Sequence, residues 1–158
     1  MLQRIQTVFL MLVALFMLLT FFFPLWTLVD EDGQILNQLF TLKLTQLSAE
    51  TGELVDIFYP YSLVATFAVA SATIAIVEIT KFKNRLVQMK MGALNSLFMA
   101  ATMGIGVYFA TDLIKLYGSS GKYGIALFLP AAAMICNVMA NRFIRKDDRL
   151  VKSVDRIR

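Results

Sequence analysis

The chain has no histidine, a single cysteine and only three prolines in 158 residues. Each scarcity excludes something. Without histidine there is no ordinary neutral-pH base and no imidazole metal ligand. One cysteine, Cys136, makes an intramolecular disulfide impossible and rules out thiolate metal clusters. Charged side chains make up 16% against 58% hydrophobic, whereas a soluble domain carries about a quarter charged. No glycine-rich loop followed by Lys and Ser or Thr is present to cradle phosphates. Asp30-Glu31-Asp32-Gly33 lacks the ligand spacing of a calcium loop. No cofactor, metal site or enzymatic activity is expected.

What is present is long apolar runs. Crossing a ~30 Å hydrocarbon layer takes about 20 helical residues, and four stretches qualify: 7–26, 61–79, 91–111 and 124–143. The first is too long for a cleavable signal. It closes in Phe21-Phe22-Phe23-Pro24-Leu25-Trp26, which offers no small-residue cleavage site, so a retained helix is expected. The expected fold class is all-α integral membrane: an antiparallel four-helix transmembrane bundle, residues 1–158 as one domain, with a small external β-meander in the first loop.

Charge is sorted by side. The 27–59 loop carries six acids (Asp30, Glu31, Asp32, Glu50, Glu53, Asp56) and one base, Lys43. Arg4, the Lys81–Lys90 segment and the chain from Arg142 onward hold 12 of the 15 basic residues. The net charge of +4 is therefore no nucleic-acid signal. The positive-inside rule puts both termini in the cytoplasm and the 27–59 loop outside. The expected location is a membrane crossed several times, with the basic segments on its cytoplasmic side.

In that loop Phe40, Leu42 and Leu44 alternate with Thr41, Lys43 and Thr45, the period of a half-buried strand. Leu25–Val29 and Gln34–Leu36 flank a hairpin turn at Asp30–Gly33. Ala49–Glu53 reads as a second turn and Leu54–Tyr59 as a further strand. Three or four short strands, or an irregular acidic loop, fit this pattern.

Small residues mark the packing faces. Ala68, Ala72 and Ala75 share a face of span two; Gly92, Ser96, Ala100 and Gly104 recur every four residues in span three; Ala132, Cys136 and Ala140 do so in span four. Close backbone approach over such residues holds helices together in lipid. On that reading Gly104→Leu disturbs packing more than a change at Leu97. Pro130 is expected to kink span four. No ionisable side chain is expected deep in a span. Polar residues gather toward the cytoplasmic ends: Arg4, Glu78, Asn95, Asn137 and Asn141. They read as interhelical glue or as a ligand site, with Arg4, Lys81 or Arg142 as partners for the Glu78 carboxylate.

The tail, 144–158, places Leu150, Val151, Val154 and Ile157 on one helical face among Arg145, Lys146, Arg149 and Lys152. A basic amphipathic helix of this kind lies on an anionic leaflet or docks on a cytoplasmic partner. The partners implied are membrane lipids and another membrane protein; nucleic acid is not expected, and nothing in the chain argues for a homo-oligomer. The functional reading is an accessory, adaptor or structural subunit, with a small transporter or channel subunit as the alternative.

Met-Leu-Gln-Arg-Ile-Gln-Thr at the start, Phe23-Pro24-Leu25-Trp26, Phe82-Lys83-Asn84-Arg85, and the closing Ala140-Asn141-Arg142 and Asp147–Arg158 stretch carry a resemblance. The whole chain resembles an uncharacterised bacterial family of four-span inner-membrane proteins, a domain of unknown function. The resemblance implies four spans and no catalytic assignment. The layout also resembles claudin-like proteins in shape, although the tryptophan-glycine-leucine-tryptophan pattern and the loop cysteine pair are missing.

Overall fold

The computed structural model describes residues 2–30, 33–48, 52–82, 84–117 and 121–155, with backbone alone at 2–4 and 154–155. The Arg4 side chain, Glu31, Asp32, Ala49, Glu50, Thr51, Lys83, and the Val154 and Ile157 side chains of the tail lie outside the described parts. The order is α1 (Leu2–Leu19), β1 (Trp26–Val29), β2 (Ile35–Leu39), β3 (Leu44–Leu47), β4 (Leu54–Ile57), α2 (Ser62–Thr80), α3 (Arg85–Tyr117), β5 (Lys122–Tyr123), a 3-10 turn (Ile125–Leu127) and α4 (Leu129–Asp155).

The class is not all-α. The strands form one five-stranded antiparallel sheet, ordered β4-β3-β2-β1-β5. It is a layer of its own and draws its last strand from the connection between α3 and α4. Helix α1 stops at Leu19 instead of running on to Trp26. The Thr20 hydroxyl donates to the Met17 carbonyl at 2.6 Å, and the Thr41 hydroxyl takes the Thr20 carbonyl. Pro24 has no N–H for the Thr20 carbonyl and its ring would crowd that group, so the helix cannot run on through it, and the Thr41 hydroxyl satisfies the freed carbonyl instead. Trp26 thereby leaves the helix and enters the sheet. The alternating run at 40–45 is also divided: Phe40–Lys43 is the β2–β3 turn, closed by the Phe40 amide on the Lys43 carbonyl at 2.8 Å. Alternation of apolar and polar residues survives a tight turn, so pattern alone does not mark it. Glycine is required at Gly33, φ 78°, in the β1–β2 turn.

One transverse row explains how the sheet sits. Tyr123, Trp26, Leu39, Leu44 and Ile57 are successive cross-strand partners from β5 to β4. Trp26, Leu39 and Leu44 are buried against Val64, Phe109, Ala110, Leu113 and Leu127 of the helical ends. The opposite face carries Thr27, Gln38, Thr45 and Asp56 in one row. The sheet is therefore half-buried on the helix ends; its other side carries this polar row and, beside it, the exposed apolar pair Leu47 and Leu54.

The helices form a ring in which α1 packs on α2 and α4, and α3 on α2 and α4. Buried positions repeat at alternating steps of three and four: Gln6, Leu10, Val13 and Met17 on α1; Val64, Ala68, Ser71, Ala75 and Glu78 on α2; Gln88, Gly92, Asn95, Met99, Thr102 and Gly106 on α3; Pro130, Ala133, Asn137, Ala140 and Ile144 on α4. That mean step of 3.5 keeps a seam facing its neighbours along the whole helix. Three helices are long and apolar enough to cross a membrane: Ser62–Thr80, Arg85–Tyr117 and Ile125–Ser153; Ile5–Leu19 is apolar and shorter.

Helix α4 begins at Leu129, so Pro130 sits in the first turn, where its missing N–H costs nothing. It starts the helix and does not kink it. The tail is not a separate element either. No glycine or proline occurs from 131 to 155, and α4 continues through it, fixed by an Arg85–Asp147 ion pair at 2.8 Å.

Two outcomes follow. At Gly124 a β-carbon would strike the Pro24 carbonyl oxygen, while at Gly104 it would meet open space. Gly124→Ala should cost about 2 kcal/mol and Gly104→Ala should be near neutral; thermal unfolding of the two purified variants checks this. On the outer face, Lys43 and then Thr45 donate to the exposed Asp56 carboxylate and hold its pKa below the ordinary 3.8. A depressed carboxylate stabilises the fold above its unfolded pKa and loses that contribution as pH falls through the folded one. The protection factors of the β4 amides, taken against their pH-corrected intrinsic exchange rates, should therefore fall as pH drops below the ordinary Asp range, and Asp56→Asn should abolish that fall.

Candidate functional site

Polar side chains occupy core positions of the seam at the basic end of the ring, away from the sheet. Two rungs tie α2 to α3. The Ser71 hydroxyl donates to the Asn95 side-chain carbonyl at 2.7 Å. Seven residues further along each helix, the Gln88 amide donates to the Glu78 backbone carbonyl at 3.0 Å. The seven-residue offset, reversed in sense on the two helices, is what antiparallel packing with a 3.5 step requires. A third tie joins α3 to α4: the Asn137 amide donates to the Gly92 carbonyl at 2.7 Å and to the Ser96 hydroxyl at 2.9 Å. Gly92 is tolerated here because the Asn141 side chain fills the space a β-carbon would take.

Glu78 lies in the last turn of α2, where the sequence placed it, but it faces inward between the helices and not toward the helix ends. Its side chain is fully buried, and among the described residues neither carboxyl oxygen has a hydrogen-bond partner; the Arg4 side chain is not among them. Lys81 and Arg142 are both exposed and do not reach it. Gln88 Oε1, Asn137 Oδ1 and Asn141 Oδ1 are likewise unpartnered, as is Asn95 Nδ2. The seam thus holds five unmatched acceptor atoms against one unmatched amide donor among these side chains. Unmatched acceptors thus outnumber unmatched donors here, and a proton on the Glu78 carboxyl would narrow the difference. An isolated buried carboxylate is costly, so such a residue marks a functional site before it marks stability.

The other sequence-selected residues divide. Ala68, Ala72 and Ala75 are buried against Val13 and Met17. Ala140 is buried too, whereas Ala132 and Cys136 are half-buried at the edge of the seam. On α3, Gly92 is buried, Ser96 half-buried, and Ala100 and Gly104 exposed. The cause is angular: a four-residue step advances 40° beyond a full turn, so a stripe at every fourth residue winds off the packing face within three steps. Gly104 therefore faces outward and, contrary to the expectation, packs against no neighbouring helix.

At the far basic end Arg142, Arg145, Lys146 and Arg149 line one shallow depression together with Leu150. Lys152 is turned to Asp148, at 2.6 Å, four residues before it. Among the described residues no three His, Cys, Asp or Glu side chains are grouped to hold a metal. The sequence signal for the seam was present but easily passed over: Ser71 and Glu78, and Gln88 and Asn95, are spaced by seven.

Fold and site together define an α+β protein with membrane-compatible apolar helices, a sheet across one end and an unsatisfied polar seam near the other. The chain belongs to the family described as Domain of unknown function (DUF4293), whose model matches residues 2–157. No curated protein matches it.

Replacing Glu78 by Met removes two unpartnered buried oxygens at similar volume. The variant should be more stable than the natural protein by about 1 kcal/mol or more, read as a raised unfolding midpoint in denaturant. A lowered midpoint would show that the carboxyl is satisfied.

Proposed function

We propose that this is a multi-pass protein of a bacterial cytoplasmic membrane that spans it four times and acts without catalysis, as an accessory or adaptor subunit. The observation that carries the reading is the fusion of sheet and helices through the Trp26–Leu39–Leu44 row. It holds the outer sheet face, a polar row beside the exposed Leu47 and Leu54, at a fixed attitude above the membrane, as a display surface for a partner membrane protein needs. Membrane lipids are the other partners; nucleic acid is not, and a homo-oligomer has no particular support.

The four-span topology is supported by the outward helix faces. Val8, Met11 and Leu15 of α1, Val69 and Ile76 of α2, Leu97 of α3 and Ile135 and Val138 of α4 are all exposed and apolar. A belt of that extent belongs in lipid. Exposed Phe22, Phe58, Tyr59, Tyr108, Tyr123 and Phe128 gather where the sheet begins, the position of an interfacial aromatic girdle. The basic end is then cytoplasmic, with both termini.

A transporter or channel subunit is the second reading, favoured by the unpartnered Glu78 carboxyl. Against it, Thr66 and Thr73 are exposed and bond back to their own helix at Leu63 and Val69, while Ser71 and Thr102 are buried. The four do not line one passage.

Reporter fusions at Gly33 and after Arg158 should report opposite sides of the membrane. Protein in sealed vesicles should move protons and sodium no faster than empty vesicles. Flux that vanishes in Glu78→Gln would overturn the accessory reading in favour of the second.

A further inference from the structure

The outward face of α4 changes character along its length without changing direction. Ala131, Ile135, Val138, Arg142, Arg145 and Arg149 follow one another at steps of four, three, four, three and four, so they share one line along the helix. Two shallow depressions lie end to end on that line. One, of about 490 Å³, is lined by Ala131, Met134, Ile135, Val138, Met139 and Arg142. The other, of about 470 Å³, is lined by Arg142, Arg145, Lys146, Arg149 and Leu150. Arg142 belongs to both.

The basic half carries charge that the protein itself does not neutralise. Asp147 and Asp148 are the acids of the same segment, and both are engaged elsewhere: Asp147 with Arg85 of α3 and Asp148 with Lys152. Among the described residues no carboxylate pairs with Arg142, Arg145, Lys146 or Arg149. Like charges three and four apart on a helix repel one another, and an anion lodged between them relieves that repulsion. Three of the four are arginines, whose planar forks bind phosphate oxygens two at a time. A nucleic acid or an acidic peptide would use the cations but not the apolar groove that continues from them.

We propose that this face is a binding site for one anionic phospholipid of the leaflet at the basic end. Its phosphate lies among Arg142, Arg145, Lys146 and Arg149, and its acyl chains run along Ala131–Met139. Arg142 sits at the boundary, its stem on the acyl chain and its guanidinium at the phosphate. Arg142 to Arg149 covers about 10 Å of helix, room for the two phosphates of a diphosphatidylglycerol. The proposal rests on the membrane-spanning reading above.

The test uses the full chain in mild detergent, titrated with diphosphatidylglycerol, phosphatidylglycerol and phosphatidylethanolamine and read by native mass spectrometry. Saturable binding of one diphosphatidylglycerol, stronger than of phosphatidylethanolamine, is expected. Arg145→Gln/Arg149→Gln should weaken it about tenfold or more. Lys81→Gln/Lys90→Gln removes the same charge at the same end, off the line, and should leave affinity within twofold. Val138→Trp, which fills the apolar half and touches no charge, should weaken the lipid and leave the unfolding midpoint in place. Equal loss in both double variants, no preference among the lipids, or an unaffected Val138→Trp would overturn the site. Insertion of the natural protein into purely phosphatidylcholine vesicles is measured alongside. Failure there would overturn the spanning reading, whereas insertion with no lipid preference would overturn the site alone.

Discussion

A repeat of three and a half residues governs this molecule. Each of the four helices buries positions that alternate three and four apart, so each keeps the same side toward its neighbours from end to end. The polar groups inherit their meeting points from that repeat. Ser71 meets Asn95, and Gln88 meets the backbone at Glu78, because seven residues return to the same side of either helix. Shift α3 by one residue against α2 and both contacts are lost together, leaving several buried polar groups unmatched. Polar residues in such a seam cost stability and hold register. The seam at the basic end therefore specifies how the helices align as well as offering a site.

The sheet depends on the same alignment at the other end. Its buried row rests on Val64, Phe109 and Leu113, which continue the α2 and α3 stripes beyond Ser71 and Thr102. The tryptophan is central: its ring is buried beneath the sheet and lies 6.5 Å from that of Tyr117 at the end of α3. Tyr117 in turn donates to the Gln46 side chain of β3 at 3.2 Å. A helix too long for a membrane alone is thus accounted for. The 33 residues of α3 make about 50 Å of helix, enough to reach the sheet at one end and the Arg85–Asp147 pair at the other.

Much of this could be read from the residues alone. The apolar runs locate four helices but bound only α2 closely, 61–79 against Ser62–Thr80; α3 and α4 run well past the apolar windows because their polar ends are still helical. The turn at Asp30–Gly33 does fall between two strands, β1 and β2. Other features leave no readable mark. Pro24 signals the end of α1, but the Thr41 hydroxyl that satisfies the freed Thr20 carbonyl lies 21 positions beyond it, a contact that no local window contains. Strand β5 is two residues long and has no period to detect. The small-residue stripes misled because spacing by four resembles the true 3.5 repeat over one step and departs from it over three. Glu78 stood at the edge of an apolar run, where interfacial anchoring is the common reading; its burial comes from α3 beginning at Arg85, early enough for Gln88 to cover it.

The place of β5 in the sheet sets an order on assembly. Strands β1 to β4 all come from the first connection, so they exist as soon as residues up to Ile57 have been made. The free side of β1 stays open until Lys122 and Tyr123 arrive, after α3 is complete. In a chain that emerges from its N-terminus, the sheet is finished only once α3 has brought the second connection across to it. A chain cut short anywhere before Lys122 carries an unpaired strand edge beside its tryptophan, the kind of exposed backbone that quality control and stray strands both recognise.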